Sequence, residues 1–109
     1  MRTFCITLIA IFLSACATSP RQAALLAQSQ RDFNNGFYKR AQENLLPVAS
    51  EGNAEAEYAL GYLYYYGYGV AQDAATGKFW IMKAAQQNYL PAKQALTKIS
   101  IADKLAVKH

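Results

Sequence analysis

The chain has 109 residues and a formal net charge of +4, which leaves room for one domain at most. Beyond Arg2, its basic residues (Arg21, Arg31, Lys39, Arg40, Lys78, Lys83, Lys93, Lys98, Lys104 and Lys108) are interleaved with Asp32, Glu43, Glu51, Glu55, Glu57, Asp73 and Asp103. Such scattering allows mild attraction to anionic surfaces but lacks the dense basic stripe of a nucleic-acid binder, so no nucleic-acid partner is expected.

The first element is a short apolar run, Thr3 to Leu13, behind Met1-Arg2. About eleven residues cover roughly 17 Å as a helix, too little for a hydrocarbon core of about 30 Å, so the run reads as a secretion signal. It ends in Leu13-Ser14-Ala15-Cys16, which resembles the lipobox of bacterial lipoproteins. That resemblance implies a signal peptide over 1–15, acylation (palmitate among the chains) at Cys16, and a short tether over 16–19. It also implies a lipid anchor facing the periplasm, in the outer membrane, because Ala17 rather than aspartate follows the cysteine. Cys5 would leave with the signal and Cys16 would be acylated, so the remaining domain has no thiol for a disulfide or for metal ligation.

From residue 20 to 109 the pattern is helical throughout. Ser19 and Pro20 start a helix carrying Ala23, Leu26, Ala27 and Phe33, and Asn34-Asn35-Gly36 ends it. A second carries Phe37, Tyr38, Ala41, Leu45, Val48 and Ala49, with Pro47 expected to bend or loosen its last turn. Ala56, Leu60, Leu63 and Tyr64 form the stripe of a third, which stops before Gly67-Tyr68-Gly69. Asp73 is the N-cap expected for a fourth, with Gly77, Trp80, Ile81, Ala84 and Ala85 on one side. Pro91 opens a fifth, whose face is Ala92, Ala95, Leu96, Ile99 and Ala102, with Lys104 and Lys108 near the negative end of the helix dipole. No strand-like alternation of useful length occurs, so the expected fold is all-α.

A period runs through this pattern. Gly52-Asn53-Ala54-Glu55-Ala56 followed by Leu60 corresponds to Asn88-Tyr89-Leu90-Pro91-Ala92 followed by Leu96, thirty-six residues on. Such a period means stacked helical hairpins, none of which buries its apolar face alone. The stretch from Ala54 to Asn88 resembles a Sel-one-like repeat, a relative of the tetratricopeptide repeat. The matching positions are Ala54, Ala56, Leu60, Gly61, Tyr64, Gly67, Gly69, Val70, Asp73, Trp80, Lys83, Ala84 and Ala85. The resemblance implies a short α-solenoid of antiparallel hairpins, about five helices, with one complete repeat near 54–89 and half repeats on either side. Within it the alanines and Gly61 allow close helix approach, Gly67 and Gly69 shape the turn, and Trp80 is expected to supply the largest buried area. Gly77 replaces the usual alanine at an expected cost of about 0.5–1 kcal/mol. Asn88 stands where the turn glycine is usual.

No catalytic constellation stands out, and no cofactor or metal is expected. The one histidine, His109, is the last residue. Glu55 and Glu57 are two apart on a helix, point to different sides, and read as solvated charges rather than an acid/base pair. Gly67-Tyr68-Gly69 lacks the third glycine or the Lys-Ser/Thr of a phosphate cradle. The tyrosines remain. At 100° per residue, Tyr58, Tyr62 and Tyr65 lie opposite the Leu60–Tyr64 stripe with Tyr66 at the edge. They either pack against the flanking half repeats or form an aromatic groove for a peptide or glycan. By resemblance the expected function is a non-enzymatic, lipid-anchored scaffold for envelope proteins. The alternative is a peptidoglycan or polysaccharide binder using the tyrosine face. Self-association through an incomplete terminal hairpin is a further expectation.

Overall fold

The structure is a computed structural model describing residues 18–107. The expected signal peptide 1–15, lipidation at Cys16 and the terminal His109 lie outside the described residues. Five helices follow in chain order: α1 (Pro20–Asn34), α2 (Tyr38–Ser50), α3 (Ala54–Tyr66), α4 (Ala74–Gln86) and α5 (Leu90–Val107). Each packs chiefly on its neighbours in the chain, as antiparallel hairpins joined by short turns do. The fold is a short all-α solenoid, and the described residues contain no strand.

Local chemistry sets the helix boundaries. Ser19 Oγ accepts from the Gln22 N–H at 3.2 Å, and Asn53 Oδ1 from the Ala56 N–H at 2.9 Å. Asp73 Oδ1 accepts from the Thr76 N–H at 3.1 Å, while the Thr76 hydroxyl donates to Asp73 Oδ2 at 2.6 Å. Each cap satisfies an N–H that has no partner within its helix. Gly67 closes α3 in the left-handed region at φ 75, its N–H donating to the Leu63 carbonyl, and the Tyr68 N–H reaches the same oxygen at 2.9 Å. A side chain there would meet the left-handed penalty that glycine escapes. Asn88, at φ 64, takes the left-handed position that Gly52 holds at φ 90 one repeat earlier, as asparagine tolerates better than most residues. Pro47 does not end α2, which continues to Ser50.

The core falls into two clusters. Ala41, Leu45, Val48 and Ala49 of α2 enclose Ala56, Leu60 and Leu63 of α3, with Leu25, Leu26 and Phe33 of α1 against them. Ile81 and Ala84 of α4 join Ala92 and Ile99 of α5, with Tyr58 and Tyr65 of α3 against them. So α3 is packed from two sides, which is why it is apolar almost all round rather than along one stripe. Leu60 is fully buried, and burial of such a side chain is worth roughly 1.5–3 kcal/mol.

Three expectations change here. Trp80 is only half-buried, packing at the rim of the first cluster, while the Lys83 ammonium lies 4.8 Å from its ring centre. Leu60, Leu63 and Ile81 are the large apolar side chains buried completely. The reason is position: α4 is the outer helix of its hairpin, so the Trp80 ring caps the core edge instead of entering it. Gly77 is no defect, because it faces Gly61 where α3 and α4 cross, and a Cβ on it would lie 2.6 Å from the Tyr65 nitrogen. Glu57, read as solvated, is 1% exposed. Gln87 Nε2 donates to Glu57 Oε1 at 2.6 Å and to the Gly52 carbonyl at 2.8 Å, and Lys83 Nζ stands 3.7 Å from Glu57 Oε2. Asp32 plays the matching part in the first hairpin. Also buried, it accepts from Gln28 at 3.0 Å and Asn44 at 3.1 Å, with Arg40 at 3.5 Å. A buried carboxylate thus clips the two helices of each hairpin together.

Candidate functional site: an aromatic belt along the inner helices

The first helix of each hairpin (α1, α3 and α5) borders one side of the stack, and the tyrosines of α3 sit in the middle of it. Tyr58, Tyr62, Tyr65 and Tyr66 together line a groove of about 150 Å³ against Pro91, Gln94, Ala95 and Lys98 of α5. On the other side of α3, Tyr58 and Tyr62 also line a groove of about 220 Å³ facing Leu26, Gln30 and Phe33 of α1, with Glu55 at its rim. Tyr58 and Tyr62 are therefore a ridge between two grooves, and all four tyrosines singled out from the sequence belong to one surface.

The helix pattern divides these tyrosines from Tyr64. Tyr64 packs against the first core cluster, as its place on the Leu60 side requires. Tyr58 and Tyr65 are half-buried against the second cluster, and Tyr66 is 53% exposed. Packing and groove-lining are both realised. Tyr58 and Tyr65 pack against the second core and also line the groove.

The belt extends further than the sequence shows. Tyr62 lies 4.7 Å from Tyr66 and 6.4 Å from Tyr58 between ring centres. Tyr58 meets Tyr89 at 5.7 Å. Tyr68, folded back by the turn after α3, stacks near parallel to Tyr62 at 6.1 Å, with an interplanar angle of 13°, and approaches Tyr38 at 4.9 Å. Phe33 joins Tyr38, Tyr62 and Tyr68 at 5.2, 6.1 and 6.0 Å. Every tyrosine except Tyr64 thus lies in one connected belt with Phe33. Offset and edge-on contacts of this kind add about 0.5–1.5 kcal/mol each beyond burial. Phe33, Tyr38, Tyr68 and Tyr89 lie outside α3, so no helical periodicity links them to its tyrosines.

The belt alters the acidity of its members. Burial, and then the neighbouring phenols of Tyr66, Tyr68, Tyr58 and Tyr38, push Tyr62 above its ordinary value. Burial, with Glu55 and Tyr58 nearby, does the same to Tyr89. A raised folded value means that the fold prefers the neutral phenol. Its stabilising effect is whole below about pH 10 and is lost as pH rises through the folded value, because the unfolded phenol ionises first. An ultraviolet titration of the folded chain should therefore show a late-ionising tyrosine component that shrinks in Tyr62→Phe. A titration curve unchanged by that substitution would contradict the assignment to Tyr62.

The belt offers apolar ring faces and hydroxyl tips, with one carboxylate and one ammonium at its two borders. Among the described residues no group of three His, Cys, Asp or Glu side chains is placed to hold a metal ion.

Comparison with known proteins adds one relative. The chain is 27% identical over 112 residues to chitin synthase regulatory factor 3 of Schizosaccharomyces pombe, a match covering 84% of this chain and 12% of that protein. The chain thus corresponds to a small part of that relative's length. No protein-family model matches, and no solved structure does. The match corrects the expected function and location. A lipid-anchored scaffold of a bacterial envelope, facing the periplasm in the outer membrane, is overturned by similarity to a eukaryotic regulatory factor, and so is the alternative of a peptidoglycan- or polysaccharide-binding lipoprotein. The physical reason is that the lipobox is a pattern of only four residues. Coverage of 84% of the chain, by contrast, necessarily includes most of the helices, whose glycine and alanine contacts work alike in any compartment.

Proposed function

We propose that the chain is a non-enzymatic docking module of the Sel-one-like, tetratricopeptide-related kind, which holds a partner polypeptide along the tyrosine belt. In this reading it serves a regulatory factor, as the name of the yeast relative suggests, by bringing a regulated protein to a fixed surface. The observation that carries the reading is the ridge of Tyr58 and Tyr62 between two grooves, extended by Tyr65 and Tyr66. Tyrosine gives large contact area for little lost side-chain freedom and is enriched where binding energy concentrates. The charged side chains beside the tyrosines, Glu55 in one groove and Lys98 in the other, lie on different grooves, and the surface is read as one that holds a partner.

A photo-crosslinking residue at position 66, beside the ridge, should capture a partner polypeptide that then binds the purified chain in calorimetry. Tyr58→Ala and Tyr62→Ala should each weaken that binding by at least about 2 kcal/mol while the helical content persists. If position 66 captures nothing beyond what the exposed Glu43 position captures, or if the purified partner binds the alanine variants as well as the parent, the reading is wrong.

A further inference from the structure

The outer side of α5 carries a second surface, distinct from the tyrosine ridge. Ala92 and Ile99 face the core, with Ala95 and Leu96 packed beside them. At 100° per residue the opposite side carries Leu90, Gln94, Thr97, Ile101 and Leu105, all exposed. Leu90, Ile101 and Leu105 keep 61%, 54% and 58% of their surface in solvent. Positions 90, 94, 97 and 101 follow the four-three-four spacing of a coiled-coil seam, with polar Gln94 and Thr97 within it, and Leu105 lies one further turn along the same side. Exposed Lys93 and Lys104 border the seam on one side and exposed Lys98 on the other. Among the described residues none of these three forms an ion pair; the carboxylate available on α5, Asp103, is held by Lys78 of α4 at 2.8 Å.

We propose that this face docks an acidic amphipathic helix of a partner protein. The partner's aliphatic seam rests on Leu90, Ile101 and Leu105, and its carboxylates meet Lys93, Lys104 and Lys98. Charge selects the occupant. A second copy of α5 would set lysines against lysines. The outer side of α1 in a second copy would bring Arg31, a cation again, and Arg21, already paired with Glu51 at 2.6 Å. A lipid surface fits less well, because Gln94 and Thr97 interrupt the seam and no aromatic residue lies on it, whereas interfacial helices rely on a broad apolar face with large side chains. A narrow seam between like-charged flanks is the pattern by which one helix chooses another. The face meets the tyrosine groove only at Gln94 and Lys98, which border both.

The test uses the whole chain and a labelled synthetic helical peptide of about three heptads, with leucines along its seam and glutamates on its flanks. A second peptide carries lysines in place of the glutamates, and phosphatidylserine vesicles form a third arm. The glutamate peptide should bind at least about tenfold more tightly than the lysine peptide. The double variant Lys93→Glu/Lys104→Glu, which leaves the tyrosine groove untouched, should invert that order. Ile101→Ala/Leu105→Ala should weaken the glutamate peptide about tenfold, and Tyr62→Ala should leave its binding unchanged. Circular dichroism shows that each variant is folded. The proposal fails if the two peptides bind alike, or if folded charge-reversed chain keeps the original preference. It fails equally if the chain binds the vesicles but neither peptide, which gives the face to lipid, or if it dimerises through α5.

Discussion

Replacing Gly77 with alanine should destabilise the fold by about 2–3 kcal/mol, although intrinsic helix propensity alone favours alanine by about 1 kcal/mol. A Cβ at position 77 would lie 2.6 Å from the Tyr65 nitrogen, 2.7 Å from the Gly61 carbonyl oxygen and 2.8 Å from the Tyr65 Cα. These are backbone atoms inside a helix, so no rotamer change relieves the contact and α3 and α4 must separate. Gly61→Ala should behave alike, since its Cβ would meet the Gly77 carbonyl oxygen at 2.6 Å. For a domain of this size the loss corresponds to a fall of roughly 10–20 °C in melting temperature. Ser100→Ala, an exposed position on α5, is the control and should hold or slightly raise it. A melting temperature that rises in Gly77→Ala would mean that propensity governs this site and that the helices do not cross as closely as described. The effect should reach the tyrosine belt too, because the displaced backbone is that of Tyr65 itself.

The second large effect should be asymmetric around Glu57. Gln87→Ala removes the donor to Glu57 Oε1 and to the Gly52 carbonyl, leaving a carboxylate that is 1% exposed with Lys83 alone at 3.7 Å. A buried acceptor stripped of its donor costs about 1–3 kcal/mol, and here the group is charged, so a loss near the upper end is expected. Glu57→Met removes the charge and keeps the volume. Its former partners, Gln87 and Lys83, both reach solvent and rehydrate, so the change should stay within about 1 kcal/mol. Urea unfolding with a common m-value measures both. If Glu57→Met costs more than Gln87→Ala, the attraction between the carboxylate and Lys83 outweighs the cost of withdrawing the carboxylate from water.

Several features that shape the site follow from near neighbours in the chain. The turn after α3 is set by Gly67 within one helical turn of Leu63, and the start of α4 by Asp73 within three residues of Thr76. The division of the tyrosines is equally local. Tyr64 shares the Leu60 side of α3, while Tyr58, Tyr62 and Tyr65 lie across from it, and helical periodicity alone separates them. The thirty-six-residue repeat then implies hairpins, because a stripe recurring at that interval must be buried by its neighbour.

What residues far apart in the chain do to one another was out of reach. Glu57 looks like any exposed glutamate until Gln87, thirty residues on, reaches back over it. Gly77 looks like a weak helix residue until Gly61 is found opposite. Phe33, Tyr38, Tyr68 and Tyr89 become one surface with the α3 tyrosines only because α1, α2, the turn and the start of α5 converge there. By itself the sequence determined the helices, their ends, the repeat and the two sides of α3, since each rests on contacts within a few residues. The tertiary structure alone decided which charges are buried, which glycines touch and how far the aromatic belt extends, since those depend on how the helices cross.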